Sequence, residues 1–197
     1  NFVAAMEDAN GVDLQQFRRW YGQSGTPKLH IRGSHDPEAK TYSLTVRQSC
    51  PDTAGQKGFG AEKSKNDEHE KQTAPVEIQN SKQNAHHSFQ KQPFHIPLAL
   101  GLLAADGDTL PLKLTGCTAE KNQDTIILEL RNQSETFVFE NIPAAPVPSL
   151  LRGFSAPVKL LFDYSISDLA FLLANDTCEF NRWETGQQLM IRISLEQ

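Results

Sequence analysis

Long hydrophobic runs are missing from this sequence, and no stretch approaches the roughly 18 apolar residues that a membrane-spanning helix needs. A secretory leader is missing too, because Asn1-Phe2-Val3 opens without the basic-then-apolar order of such leaders. With no initiator methionine either, this opening is expected to lie inside a longer polypeptide. Surplus positive charge is also absent. Its 19 basic and 24 acidic residues give a formal charge of -5. That balance cannot neutralise a phosphate backbone or hold an anionic lipid surface, so neither nucleic acid nor membrane is an expected partner.

Cysteine is scarce. Cys50, Cys117 and Cys178 are odd in number, far apart and without a CxxC pair, which excludes a disulfide framework and a structural zinc site of the usual spacing. They read as reduced thiols of a cytoplasmic protein. On that reading the glycosylation-type triplets Asn132-Gln133-Ser134 and Asn175-Asp176-Thr177 are ordinary polar residues, since the pattern matters only after secretion. No GxSxG elbow and no phosphate-cradling glycine loop occurs, and Gly58-Phe59-Gly60 is too short to serve as one.

What is present is a change of period along the chain. Phe2 to Asn10 reads as the end of a helix. Asp13 and Gln16 have capping-box spacing, and Leu14, Phe17, Trp20 and Tyr21 recur at helical intervals, which predicts a short amphipathic helix over 14–21. Gly22, Gly25 and Pro27 stop it. From Lys28 the period becomes two: Leu29 and Ile31, then Tyr42, Leu44 and Val46, then Phe94 to Leu102 in alternate positions. Further strands are predicted near 110–114, 125–131, 136–140 and 157–163, with turns at Asp106-Gly107-Asp108 and Asn132-Gln133-Ser134. About seven short strands without intervening helices define a mainly β fold, an immunoglobulin-like β-sandwich with short flanking α-helical segments.

After Asp163 the helical period returns. Ser165 with Asp168, and Asp176 with Glu179, have capping-box spacing ahead of two apolar-faced helices. The second carries Phe180, Trp183, Leu189, Met190 and Ile193. It has no stop signal, as if cut within a helical domain. Between about Asp52 and Gln92 the composition turns polar and aperiodic, which predicts a solvated insertion at a hairpin tip, where added length costs little loop-closure entropy.

Four features invite a chemical reading. His69-Glu70 resembles the start of the zinc-protease motif HExxH, but Thr73 stands where the second histidine is required. The adjacent His86-His87 diverge on any regular backbone and suit only adventitious metal. Ala4-Ala5-Met6-Glu7-Asp8 partly matches the GxMEN loop that holds a substrate amino group, yet in helical context Glu7 reads as a surface charge. Arg18-Arg19 have the chemistry to bind a carboxylate, although interdomain salt bridges are the commoner use. Trp20, Tyr21 and Trp183 sit at amphipathic positions that suit packing rather than a pocket.

Four segments, in order, carry a resemblance: Ala5-Met6-Glu7-Asp8-Ala9; Gln16-Phe17-Arg18-Arg19-Trp20-Tyr21 with Gln23-Ser24-Gly25-Thr26-Pro27; Pro93-Phe94-His95-Ile96-Pro97; and Phe154-Ser155-Ala156-Pro157-Val158-Lys159-Leu160. The chain resembles the bacterial aminopeptidase N family, alanyl aminopeptidases of the gluzincin zinc metallopeptidase type, over all but the 52–92 insertion. The resemblance implies a four-domain parent that uses zinc to remove N-terminal amino acids from peptides. On that map 1–25 is the tail of the catalytic domain, 26–164 the β-sandwich, and 165–197 the start of the helical C-terminal domain. The parent's zinc ligands, general base, transition-state tyrosine and amino-group loop would all precede Asn1. No catalytic, cofactor-binding or metal-binding residue is therefore expected in this chain, whose partners would be its own neighbouring domains.

The resemblance thus implies a structural connector domain of that aminopeptidase, and two other functions compete with it. One is an immunoglobulin-like protein-binding module with no hydrolase parent, using exposed strand edges. The other gives the His- and Lys-rich insertion a regulatory or partner-binding role.

Overall fold

The computed structural model describes residues 2–60, 89–116 and 124–195. Among these described residues nine strands and four α-helices follow in chain order. Helix α1 (Phe2–Asn10) and the single turn α2 (Arg19–Gly22) precede β1 (Lys28–Asp36) and β2 (Thr41–Ser49). Two short strands, β3 (Gln56–Lys57) and β4 (Phe89–Gln90), are followed by β5 (Ile96–Leu103), β6 (Ile126–Leu130), β7 (Ser134–Phe139) and β8 (Val147–Leu150). A 3-10 turn at Arg152–Phe154 leads to β9 (Lys159–Leu161), α3 (Ile166–Asn175) and α4 (Glu179–Leu195).

The strands form a four-stranded sheet in the order β7-β2-β1-β9 and a three-stranded sheet in the order β6-β5-β8. Alternation explains both. Leu29, Ile31, Tyr42, Leu44 and Val46 of the first sheet and Ile96, Leu98, Leu100 and Leu102 of the second are all buried in one shared cluster, as period-two strands over a common core require. The mainly β, immunoglobulin-like class read from the sequence is the class observed.

Strand β5 departs from simple alternation, because Ala99 and Leu103 are buried as well as the inward set. It is the central strand of its sheet, and the 3-10 turn covers its outer face: a Cβ on Gly101 would lie 2.7 Å from the Arg152 guanidinium. Residues 110–114 form no strand and only bridge to neighbours, Leu114 opposite Phe139. The predicted strand at 157–163 shrinks to three residues that pair in parallel with β1. Strand β8 was not predicted. Its Pro148 lacks an amide donor, which suits an edge strand paired only with β5.

The predicted helix over 14–21 is mostly a run of tight turns. Asp13 Oδ1 accepts the Gln15 amide at 2.8 Å, one residue short of the capping-box position Gln16, and the amides of Arg19, Trp20 and Tyr21 bond three residues back as in a 3-10 turn. Capping at Ser165 is as predicted, with both arms of the Ser165–Asp168 box formed. Asp176 caps no box with Glu179, since its carboxylate is engaged inside the protein. The polar stretch after Asp52 does not extend a hairpin tip. It joins strands of different sheets, β2 and β5, and its described flanks pair in parallel, Gln56 opposite Phe89.

Candidate functional site

The charged residue buried most elaborately is Arg152, which the sequence reading passed over. Leu151 and Phe154 on either side have left-handed backbones, with φ of 58° and 55°, a conformation that costs energy for residues with side chains. The twist turns Arg152 inward across β5. Its Nη2 donates to Asp176 Oδ1 at 2.8 Å and to Thr177 Oγ1 at 2.8 Å. Nη1 reaches the Asp124 carbonyl and Thr125 Oγ1, and Nε reaches Ser149 Oγ at 3.0 Å. Ser149 in turn donates to Asp176 Oδ2 at 2.6 Å and accepts from Asn181 Nδ2 at 2.8 Å. Every donor of the guanidinium fork points at an oxygen, which is what allows a charge to lie in a dry interior.

This network joins five pieces of chain: the lead into β6, strand β8, the 3-10 turn, the end of α3 and the start of α4. Helix α3 adds apolar packing through Leu169 and Leu172, both in the core cluster. Helix α4 is built the other way round. Its buried residues are Asn181 and Thr185, whereas Trp183, Met190, Ile191 and Leu195 are exposed, Trp183 by 60%. An apolar cleft of 400 Å³ lies beside it, bounded by Phe154, Leu160, Tyr164 and Phe180.

A second polar clamp fixes the other end of the chain. Trp20 Nε1 donates to the His95 carbonyl at 2.9 Å, and its ring lies 4.6 Å from that of Phe94. Arg19 Nη1 donates to the Pro93 carbonyl. Gln23 exchanges bonds with the Gln92 backbone in both directions. Beneath them the wholly buried Gln48 does the same for Phe94, accepting its amide at 2.8 Å and donating to its carbonyl at 2.9 Å. Thus the segment 16–23 and the segment 93–97, singled out separately in the sequence, are bonding partners. The fourth segment, 154–160, reaches β5 just beyond them, where the Ala99 amide donates to Ser155 Oγ at 3.0 Å.

The chemically suggestive residues fare differently. Glu7 accepts from the Leu14 amide and pairs with Arg18, and the Arg18 bond followed by the Leu14 amide holds its carboxyl below the usual range. Arg18 and Arg19 are therefore both engaged within the chain. Gly58 serves backbone packing, because a Cβ there would sit 2.1 Å from the Cys50 carbonyl oxygen. Tyr21 is 70% exposed. Residues His69, Glu70, Thr73, His86, His87 and Cys117 lie outside the described residues. Burial raises the Cys50 thiol above its ordinary range, only partly opposed by Lys91.

No group of three or more His, Cys, Asp or Glu side chains placed to hold a metal occurs among the described residues. The described histidines have separate partners, His30 on Ser49, His35 on the Ile142 carbonyl and His95 on Glu129. Likewise no helix among the described residues is long and apolar enough to cross a membrane.

A chain with this immunoglobulin-like body has a match among protein families. Residues 61–163 fit the family model described as "Domain of unknown function (DUF3458) Ig-like fold", and the chain belongs to that family. Its curated relatives carry a more specific name. The chain is 36% identical to Aminopeptidase N of Escherichia coli K12 over 190 residues, which are 96% of this chain and 18% of that protein. It is 38% identical to Aminopeptidase N of Haemophilus influenzae over 189 residues, and 37% to that of Caulobacter vibrioides over 188. A crystal structure of Legionella pneumophila aminopeptidase A in complex with aspartic acid matches with a TM-score of 0.66 and 26% identity, covering 95% of this chain and 16% of that one. The chain thus spans less than one fifth of the length of these relatives, at 17% to 18%.

Proposed function

We propose that this chain is the connector domain of a cytoplasmic, zinc-dependent aminopeptidase that removes amino acids from the N-termini of peptides. Support comes from the named relatives, which align along nearly the whole chain, and from the two clamps. The observation that carries the reading is the inverted helix α4. It spends polar residues on the β body and turns Trp183, Met190 and Ile191 outward, an arrangement that suits a helix with a second packing partner.

On this reading 1–25 is the tail of the catalytic domain, 26–164 the β body and 165–197 the start of a helical domain. In the parent, bound zinc supplies an activated water for attack on the first peptide bond. This chain's task is mechanical: the Trp20 and Arg152 clamps keep what lies on either side in a fixed relation across β5. The purified chain, given zinc, is expected to release no chromophore from an alanine anilide and to retain no stoichiometric zinc after mild chelation. Hydrolysis of the anilide by the chain alone contradicts the connector role.

A further inference from the structure

The outward face of the four-stranded sheet has a charge the composition conceals. Register places Lys28 beside Lys159, His30 beside Arg47 and Leu161, and Arg32 beside Thr45, all on the side opposite the buried Leu29, Ile31, Leu44 and Val46. Four permanent cations therefore share one face of a chain whose formal charge is -5. The face is shaped as well as charged, with an open depression of 620 Å³ whose floor and walls include His30, Arg32, Thr45, Arg47, Ser134 and Leu161. Among the described residues the carboxylate at its rim is Asp163, 3.9 Å from Arg192, and Asp36 lies on the same side at the far end of β1. Arg47 is held by the Gly60 carbonyl at 2.8 Å, which fixes its guanidinium in the wall.

We propose that this face binds an extended acidic segment of a separate polypeptide. Lys28, His30 and Arg32 recur along β1 at about 7 Å, the spacing of alternate side chains in any extended chain. Carboxylates on one side of an extended ligand therefore meet the charges of Lys28 and Arg32, with the His30 ring between them. The hydroxyls of Thr45 and Ser134 supply further hydrogen bonds, and Leu161, 44% exposed, offers contact to an apolar residue between the acidic ones. Single-stranded nucleic acid fits less well, because base stacking needs a free aromatic face. Phe162, the aromatic residue of the depression, instead packs on Tyr164 with ring centres 4.5 Å apart. The surface is independent of the connector role and survives if that role fails.

The test is fluorescence anisotropy of a labelled peptide of alternating Glu and Val titrated with the purified chain at low and moderate salt. Saturable binding that weakens as salt rises is expected, as for any contact between surface charges. The double substitution Lys28→Glu and Arg32→Glu is expected to weaken it more than about tenfold, since like charges then face each other. Both positions are exposed, and an unchanged urea midpoint shows that the variant is folded. A peptide of alternating Lys and Val should not bind. Three results overturn the proposal: no saturation by the acidic peptide, undiminished binding by the folded double variant, or equal binding of an oligothymidylate of the same charge. Salt-sensitive self-association of the chain in sedimentation, competing with the peptide, assigns the face to a second copy and also overturns it.

Discussion

Arg152 and Asp176 form an ion pair 2.8 Å long in which the guanidinium side chain is 5% exposed and the carboxylate not at all. A pair so deeply placed contributes less to net stability than its Coulomb attraction suggests, because both charges have left water. Breaking it is a different matter. Arg152→Ala leaves Asp176 charged and buried with only Ser149 and the Cys178 amide as partners, and the expected loss is about 3–5 kcal/mol in urea unfolding. Arg152→Met with Asp176→Leu removes both charges, and the double variant should be more stable than Arg152→Ala. A double variant as unstable as the single one shows that side-chain volume rather than charge pairing holds the junction.

Gln48 does on the other flank what Arg152 does here. Gln48→Leu keeps the approximate size but strips partners from the Phe94 amide and from the Phe94 and Asn132 carbonyls. Buried orphans of this sort make a loss of at least about 2 kcal/mol the expected result, read from the urea midpoint. Gln48→Glu, which can still accept from Phe94, should not fully rescue it, because the two donated bonds are gone.

The β1–β2 pair contains a tight spot at Gly33, where an added Cβ would lie 1.9 Å from the Tyr42 hydroxyl oxygen. Gly33→Ala is expected to cost about 1–3 kcal/mol through the displaced ring. Combining it with Tyr42→Phe should recover part of that loss in thermal unfolding, since the nearest clashing atom has been removed.

Tyr42 also sets an alkaline limit. Burial is the chief cause that raises its hydroxyl from 10.0 to about 12, and burial raises that of Tyr164 as well, while it donates to the Pro148 carbonyl at 2.7 Å. A group that ionises less readily when folded stabilises the fold fully below its unfolded pKa and loses that contribution as pH rises through the folded one. Stability should therefore be level up to about pH 10 and fall between pH 10 and 12. Tyr42→Phe should flatten part of that fall. An unaltered alkaline profile in the variant excludes Tyr42 as its source.

Strands β1, β2, β5, β6 and β7 were legible because their large apolar residues recur two apart in sequence, even where, as in β5, burial itself does not alternate, and the Ser165–Asp168 cap because it is local. Strand β8 was not, since Val147-Pro148-Ser149-Leu150 has neither alternation nor β-formers enough to stand out. The helix read over 14–21 forms only in its last part, as the turn α2 over Arg19–Gly22. Its apolar spacing is real, but Gln16, Arg19 and Trp20 also reach the 93–95 backbone. Neither clamp could be seen in local pattern, because their bonds join residues far apart in sequence: Trp20 to His95, Gln48 to Phe94, Arg152 to Asp176. The one hint was a lone arginine in the apolar run Leu150-Leu151-Arg152-Gly153-Phe154. The resemblance segments were picked out one by one, and nothing in them revealed that 16–23 and 93–97 bond to each other.

The connector role requires that both flanks open only together with the β body, and native-state hydrogen exchange of the purified chain measures this directly. Amides of Trp20, Tyr21 and Gln23 on one side and of Asp176 and Arg182 on the other should share the opening free energy of Leu98 and Leu100 in β5, and Arg152→Ala should lower the second group more than the first. Flank amides that exchange several kcal/mol more easily than those of β5 would show segments merely resting on the β body, and a connector built that way could hold nothing in register.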